Sequence, residues 1–217
     1  MISGGENSSH QRHGPLFPSS IRAIICGPSG CGKTNIMLSL LCAPNGLRFI
    51  NVYVFSKSLY QPKYKLLKEA LSRVKGMNYY SFSENDAVVD PADAKEHSVF
   101  IFDDVACDKQ DKIRAYFAMG RHKSVDTFYL AQTYARVPKQ IIRDNSNVLI
   151  LFKQDEMNLR HVYDDHVTTD MTFDKFKEIC STCWRDDSHS VLVIVKENEL
   201  HNGRYRKGFD EFICLKQ

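Results

Sequence analysis

The stretch CGPSGCGKT, residues 26–34, decides how the rest of this sequence is interpreted. It matches the pattern G-x-x-x-x-G-K-[ST] through Gly27, Gly32, Lys33 and Thr34. Two glycines at this spacing occur about once by chance in a chain of this length, so the glycines alone carry little information. The informative features are the Lys-Thr pair, the apolar run before the stretch and the helical pattern after it.

Such a loop binds phosphate because its small residues let successive backbone N–H groups converge on one phosphate group. The helix that follows adds the positive end of its dipole. We expect Lys33 to neutralise β- and γ-phosphate oxygens and the Thr34 hydroxyl to ligate Mg²⁺. The alternative is an ordinary turn between a strand and a helix, with a solvated lysine. The predicted nucleotide-binding residues are Gly27, Pro28, Ser29, Gly30, Cys31, Gly32, Lys33 and Thr34.

The composition is ordinary for a soluble globular protein. Of the 217 residues, 43% are hydrophobic and 25% are charged, which excludes only the unusual compositional classes. No apolar run approaches the roughly 18 residues that a membrane-spanning helix needs, and the N-terminus lacks a signal-peptide core. We therefore expect an intracellular protein that works inside a host cell and has no membrane partner. The net charge of +3 permits nucleic acid as a partner without requiring it.

The seven cysteines are expected to be free thiols, because they are odd in number and scattered over a chain that can form its own core. Cys180 and Cys183 form one C-x-x-C pair. A zinc site needs a second pair or nearby histidines. Neither follows at ligand spacing, so the sequence does not predict a zinc site here.

Short β-rich runs alternate with helical patterns along most of the chain. The predicted strands are apolar on both faces, which is typical of a parallel sheet covered by helices, so the predicted fold class is α/β. The strands are predicted over residues 22–26, 49–55, 98–102, 127–131 and 147–152, and the helices over residues 34–42, 63–74, 109–120 and 139–144.

The two ends of the chain follow other patterns. Residues 1–19 are rich in Gly, Ser, His and Pro, and they predict a mobile tail whose two histidines are solvated. Residues 20–217 are expected to form one domain, with a core over 21–152 and an extension over 153–217. The extension is predicted to hold helices over 156–162 and 170–180 and strands over 191–195 and 204–213, with a hairpin turn at Asn202-Gly203.

A strand that ends in two acids supplies the second part of a nucleotide site. The stretch SVFIFDDV, residues 98–105, has four apolar residues followed by Asp103 and Asp104. Asp103 is placed to hold Mg²⁺, directly or through water, and Asp104 to accept a proton from the attacking water. Adjacent carboxylates repel each other, and a bound dication removes that cost. The alternative is an Asp-Asp turn that caps the next helix.

The segment GRHKSVDTFYLAQTY, residues 120–134, adds further candidates. Its strand ends in Gln132, at the sheet edge where α/β proteins bind ligands, so Gln132 can sense the γ-phosphate or orient water. Arg121 precedes the strand and falls on the opposite rim, which suits an arginine finger that reaches a neighbouring subunit's nucleotide. Arg143 is the second candidate for that role. The alternatives are a strand-end hydrogen bond for Gln132 and a surface salt bridge for either arginine.

Together these segments resemble the viral genome-packaging ATPases of the FtsK-HerA superfamily, most closely the poxvirus type with its virophage and Polinton/Maverick versions. The resemblance covers roughly residues 21–152, most of the chain, and rests on four segments, with SKSLYQPKYKLL over 56–67 as a further similarity. One departure is Asp104, where many members have glutamate, and it shortens the arm of the candidate base. The four segments are residues 27–34, 103–104, RHKSVDTFYLAQTY over 121–134 and RVPKQIIRDNSNVLILF over 136–152.

The resemblance implies a RecA-like P-loop sheet in which the Gln132 strand lies between those of Gly27 and Asp103. It implies an ATP- and Mg²⁺-dependent motor that pumps double-stranded DNA into a preformed capsid, with capsid or portal-region proteins as partners. It also implies a homo-oligomeric ring, a hexamer, with ATP at subunit interfaces. The roles that it implies are phosphate and Mg²⁺ binding by Lys33 and Thr34, metal and base roles for Asp103 and Asp104, sensing by Gln132, and a trans role for Arg121.

The sequence does not identify the residues that contact DNA, and two other functions are also considered for the phosphate loop. A small-molecule or nucleoside kinase uses the same loop, but no arginine-rich lid stretch is evident. A switch-type NTPase also uses it, but no guanine-specifying N-K-x-D motif is present. Basic clusters that could contact DNA phosphates are more often solvated faces, so none of them is assigned to DNA. They are Lys57, Lys63 and Lys65, and Arg204, Arg206 and Lys207.

Overall fold

The computed structural model describes residues 12–105, 109–119, 124–185, 187 and 189–215, which contain nine strands and five α-helices. The strands are β1 (Arg22–Cys26), β2 (Asn51–Ser56), β3 (Asn78–Phe82), β4 (Ser98–Asp103), β5 (Val125–Ala131), β6 (Val148–Leu151), β7 (Leu192–Val195), β8 (Tyr205–Lys207) and β9 (Glu211–Ile213). The helices are α1 (Lys33–Cys42), α2 (Pro62–Ser72), α3 (Asp111–Met119), α4 (Glu156–His166) and α5 (Phe173–Cys183).

These strands form one sheet in the order β3-β2-β4-β5-β1-β6-β7-β8-β9. The strands from β3 to β6 in this order pair in parallel, and β7, β8 and β9 add antiparallel pairs. This confirms the predicted parallel α/β core and the position of β5 between β1 and β4. It also confirms the hairpin between β7 and β8, where Gly203 takes a φ of 80°.

The register decides which residues meet at the carboxyl edge of the sheet. Cys26 of β1 pairs with Ala131 of β5, and Asp103 of β4 pairs with Leu130 of β5. The segments that follow β1, β4 and β5 therefore leave the sheet side by side. Ligand sites of α/β sheets lie at this edge.

Apolar layers cover both faces of the sheet, as the continuous hydrophobic strands predict. On one face Phe100 stacks on Phe102 with ring centroids 4.6 Å apart, and Tyr116 of α3 packs on both. On the other face Leu67 and Leu71 of α2 belong to the buried cluster. The core thus holds α2 and α3 on opposite sides of β4. None of the described helices is long and apolar enough to cross a membrane.

Two strands differ from the pattern-based prediction. The sequence does not predict β3, because β3 is an edge strand in which no residue is fully buried and which therefore lacks a continuous apolar run. The strand predicted over 204–213 is divided into β8 and β9. Gly208 lies between them with a φ of 66° and allows the chain to reverse.

The helix predicted over 139–144 is wrong. Lys139–Arg143 is an irregular π-type segment in which Ile141 has a φ of 74°. Pro138 precedes it, and Ile142 is fully buried. Tertiary packing of Ile142 therefore overrides the helical periodicity of this short stretch.

Part of the predicted mobile tail packs on the sheet. Asp126 at the start of β5 is completely buried, and its Oδ2 lies 2.9 Å from His13 Nε2 and 3.2 Å from Arg12 Nη2. Residues 12–19 therefore do not form a free tail, and the prediction of a solvated histidine is wrong for His13, which is 3% exposed. A buried carboxylate needs such partners, because leaving it unpaired is costly. Residues 1–11 lie outside the described part of the chain.

A buried polar network ties α4 to the segment that follows β5. The hydroxyl of Tyr134 lies 2.7 Å from His166 Nε2, and it donates to Asp165 Oδ2 at 3.2 Å. Asp165 also pairs with Arg143 at 2.6 Å and with Lys139 at 3.3 Å. Burial, together with nearby cations, lowers the pKa of His166 to about 3.

This network predicts a specific acid sensitivity. The folded protein keeps His166 neutral, whereas the unfolded chain protonates it below a pKa of about 6.5, so acid favours the unfolded state. Lowering the pH from 7 to 5 should therefore reduce the free energy of unfolding by about 2 kcal/mol through this residue. Urea unfolding of the wild type and of His166→Gln, whose amide can still form a hydrogen bond with the Tyr134 hydroxyl, measures the difference. Equal pH dependence in the two proteins would contradict the assignment.

Candidate active site

The loop between β1 and α1 is shaped by glycines. A β-carbon at Gly27 would lie 2.6 Å from Phe152 Cβ and 2.7 Å from Cys31 Sγ, so a side chain does not fit there. Gly30 and Gly32 have φ values of 78° and 109°, which larger residues rarely adopt. Burial raises the pKa of the Cys31 thiol, so Cys31 is a packing group of the loop rather than a thiolate.

Lys33 lies across this loop. Its ammonium group donates to the carbonyl oxygens of Gly27 at 2.6 Å and Pro28 at 2.8 Å, and the residue is only 9% exposed. Because α1 begins at Lys33, the unpaired N–H groups of its first turn lie at the same point. The loop thus combines a buried cation with the positive end of a helix, as its predicted phosphate-binding role requires.

Asp103 ends β4 beside this cation, and it is 8% exposed. Burial raises the pKa of Asp103, while a hydrogen bond from the hydroxyl of Tyr64 and the charge of Lys33 act in the opposite direction. The same hydroxyl interacts with the side chain of Thr34, and burial raises the pKa of Tyr64. Tyr64 therefore joins α2 to both residues that the sequence predicts as metal ligands.

These residues fit Mg²⁺. The ion prefers oxygen ligands, and the Asp103 carboxylate and the Thr34 hydroxyl are of that kind. Asp103 is 8% exposed, and burial raises the pKa of its carboxyl although Tyr64 and Lys33 act in the opposite direction. A divalent cation at this point would stabilise the ionised carboxylate.

Asp104 and Gln132 follow the neighbouring strands β4 and β5, and their side chains contact each other. Gln132 Nε2 donates to Asp104 Oδ1 at 3.5 Å, and Ser58 Oγ donates to Asp104 Oδ2 at 3.4 Å. Asp104 is exposed and has a φ of 57°, a conformation that is strained for most residues. The predicted base and the predicted sensor therefore contact each other.

A cleft of about 550 Å³ contains these groups, which is within the range of sites for small-molecule ligands. Arg136, in the short turn after β5, also lines this cleft and is exposed. Among the described residues no acid lies within ion-pair distance of it. The other lining residues include Ser29, Gly30, Gly32, Lys33, Thr34, Ser58, Gln61, Lys63, Asp103, Asp104, Gln132 and Thr133.

The two candidates for the arginine finger differ in what the structure says about them. Arg121 lies outside the described residues. Arg143 is 9% exposed, pairs with Asp165 of its own subunit and lies over the ring of Tyr134 at 5.2 Å. An arginine that must reach a neighbour's nucleotide has to be accessible, so these contacts favour a structural role for Arg143.

The sequence pattern misses Tyr64, which contacts Asp103, and Arg136, which lines the cleft. Tyr64 has the helical spacing of a core residue with Leu67 and Leu71, and only the packing of α2 beside β4 brings its hydroxyl to Asp103. Arg136 belongs to the segment RVPKQIIRD, where the turn after β5 aims it into the cleft. Its position four residues after Gln132 is the signal that could have identified it.

The conformation of Asp104 predicts a ranking of variants. Alanine at this position keeps the left-handed strain, whereas glycine relieves it, so Asp104→Gly should be more stable than Asp104→Ala by about 1 kcal/mol. Urea unfolding midpoints of the two variants measure this difference. A variant pair at Asp103, where the backbone is that of a regular strand, should show the opposite order. If Asp104→Ala is as stable as Asp104→Gly, the backbone is not strained there.

Solved structures show the same fold in other ATPases. The genome packaging NTPase B204 from Sulfolobus turreted icosahedral virus 2, in complex with sulfate, is 15% identical with a TM-score of 0.55, and the match covers 81% of this chain and 91% of that chain. Its complex with ATP-gammaS gives 12% identity and a TM-score of 0.55 over 81% and 92%. The cytoplasmic domain of the Thermomonospora curvata Type VII secretion ATPase EccC gives 9% identity and a TM-score of 0.51 over 89% and 24%.

Sequence comparison identifies the family. A comparison with curated proteins found no match. Residues 9–210, which include the whole cleft, match the family described as Poxvirus A32 protein. The chain therefore belongs to the Poxvirus A32 protein family, and it is a viral packaging ATPase of the FtsK-HerA type.

Proposed function

We propose that this chain hydrolyses ATP to move double-stranded DNA into a viral or virus-like capsid. The single observation that carries the proposal is the convergence of Lys33, Asp103, Asp104 and Gln132 on one cleft in a member of this family. Among proteins of the same fold, B204 is described as a genome packaging NTPase and has been solved with ATP-gammaS and AMPPCP.

The residues of the cleft divide the reaction between them. The loop amides and Lys33 bind the phosphates, and Lys33 stabilises the negative charge that develops on the transferred group. Thr34 and Asp103 would hold Mg²⁺, which when bound withdraws charge from the phosphate oxygens. Asp104 accepts a proton from the attacking water, and Gln132, already in contact with Asp104, orients that water.

Arginines complete the site from two sides in this proposal. Arg136 contributes a positive charge from the same subunit, because it is exposed in the cleft and lacks an acidic partner among the described residues. Arg121 contributes one from the neighbouring subunit. Such charges stabilise the transition state of phosphoryl transfer without taking part in bond formation.

The proposed assembly is a homo-oligomeric ring, a hexamer, which acts inside the host cell. Its proposed partners are capsid or portal-region proteins. Within each subunit we propose one ATPase domain, in which a core over residues 21–152 is extended by residues 153–217. The continuous sheet supports this, since β7 of the extension pairs with β6 of the core.

The test of the activity is ATP turnover with and without long double-stranded DNA. DNA should raise the turnover of the wild type, and Lys33→Ala should lower kcat by about 100-fold or more, because it removes a preorganised charge from the transition state. Lys177→Ala, on the exposed surface of α5, is the matched control and should behave as the wild type. Turnover that is indifferent to DNA in a strictly monomeric protein would overturn the motor function.

Mixing variants separates the two arginines. Arg121→Ala and Lys33→Ala chains should partly restore hydrolysis when they are mixed, because a hybrid interface can combine an intact loop with a neighbour's intact arginine. Mixtures of Arg136→Ala with Lys33→Ala should not, since both residues belong to one subunit's cleft. The measurement is the ATP turnover of each mixture against the sum of its components. If only the mixture of Arg136→Ala with Lys33→Ala regains ATP turnover, Arg136 acts on the neighbour's nucleotide and Arg121 acts within its own subunit.

A further inference from the structure

The outer face of α2 carries a concentration of positive charge. Residues 61–76 contain five basic side chains and one acid, Glu69, so this segment has a formal charge of +4 in a chain whose total is +3. Tyr64, Leu67 and Leu71 point into the core, and four of the basic residues are exposed. The five basic residues are Lys63, Lys65, Lys68, Arg73 and Lys75.

The ion pairs of the described residues leave three of these charges without an acidic partner. Among the described residues no acid lies within ion-pair distance of Lys65, Lys68 or Arg73. By contrast, Lys175 and Lys177 of α5 pair with Glu178 and Glu156.

The position of the lysines in α2 is also unfavourable for the stability of the helix. The first turn of α2 contains no acid, and Lys63 and Lys65 lie near the end where the helix dipole is already positive. Like charges on one face of a helix also repel each other. Helix stability therefore does not account for Lys63 and Lys65, whereas an external polyanion would relieve both unfavourable interactions.

The surface also carries exposed apolar groups and begins at the cleft. Tyr60 is 73% exposed and Leu66 is 63% exposed. Lys63 lines the nucleotide cleft, and the next residue, Tyr64, donates its hydroxyl hydrogen to Asp103. A ligand that moves α2 would therefore change the hydrogen bonding of a predicted metal ligand.

We infer that the outer face of α2 binds the phosphate backbone of double-stranded DNA, and that the contact between Tyr64 and Asp103 transmits this binding to the nucleotide cleft. The inference rests on the proposed function and names the surface and the link through which DNA acts. The helix of 11 residues is about 16 Å long, enough to span several phosphates of a duplex. Contacts of this kind follow the backbone and do not depend on base sequence.

The experiment compares two triple variants of the full chain. Lys65→Gln/Lys68→Gln/Arg73→Gln removes three charges from α2. Lys112→Gln/Lys175→Gln/Lys177→Gln removes three charges that are paired with acids elsewhere. Fluorescence anisotropy of a labelled duplex at rising salt gives the affinity of each protein, and thermal melting with Mg-ATP binding checks that each is folded.

The α2 variant should bind the duplex at least about 10-fold more weakly than the wild type, and the slope of log affinity against log salt should fall by about 2–3. The control variant should keep the wild-type affinity and slope. Equal affinity of the two variants overturns the assignment of α2. A wild-type protein that neither binds the duplex nor responds to it instead overturns the proposed motor function.

A second variant tests the link. Tyr64→Phe removes only the hydroxyl that contacts Asp103, so the duplex should bind with unchanged affinity while the ratio of DNA-stimulated to basal ATP turnover falls. A merely structural role of Tyr64 would lower stability without changing this ratio. Stimulation by DNA as strong as in the wild type would overturn the link.

Discussion

The insertion of β5 between β1 and β4 is the constraint on which the rest of the structure depends. Parallel pairing places the carboxyl ends of these three strands at one edge, with Cys26 opposite Ala131 and Asp103 opposite Leu130. The phosphate loop, the two acids and Gln132 come from segments far apart in the chain, and this pairing alone makes them neighbours. Because a one-residue slip would turn each side chain to the other face of the sheet, the buried apolar layers on both faces also fix the chemistry at its edge.

The cleft contains charges that the fold compensates only in part. Lys33 is held by two backbone carbonyl oxygens, and Asp103 by one hydroxyl and the nearby cation. Burial makes each of these interactions stronger than it would be in water, and it also makes an unpaired charge costly. A phosphate group and a divalent cation would supply the charges that this arrangement lacks. The strained backbone of Asp104 is the same kind of local cost, tolerated because neighbouring structure holds it in place.

The inferred role of α2 explains how DNA on the surface affects the nucleotide cleft. One side of the helix packs on the sheet, the other carries unneutralised positive charge, and its first turn contacts the cleft. A rigid helix with these three properties can transmit the binding of DNA on the surface to the buried carboxylate of Asp103. The anchoring of residues 12–19 at Asp126 and the network around Asp165 hold other parts of the sheet in place.

The sequence is sufficient to predict the α/β class, the phosphate loop, the acidic strand end and the strand that ends in Gln132, because apolar runs and glycine spacing are local signals. It also predicted both expected metal ligands, Thr34 and Asp103. Four features are visible only in the folded chain: Tyr64 contacts Asp103, Arg136 lines the cleft, His13 is buried against Asp126, and Lys139–Arg143 is irregular. Each of these depends on contacts between segments distant in the chain, and neither local propensity nor periodicity encodes which distant partner a side chain will meet.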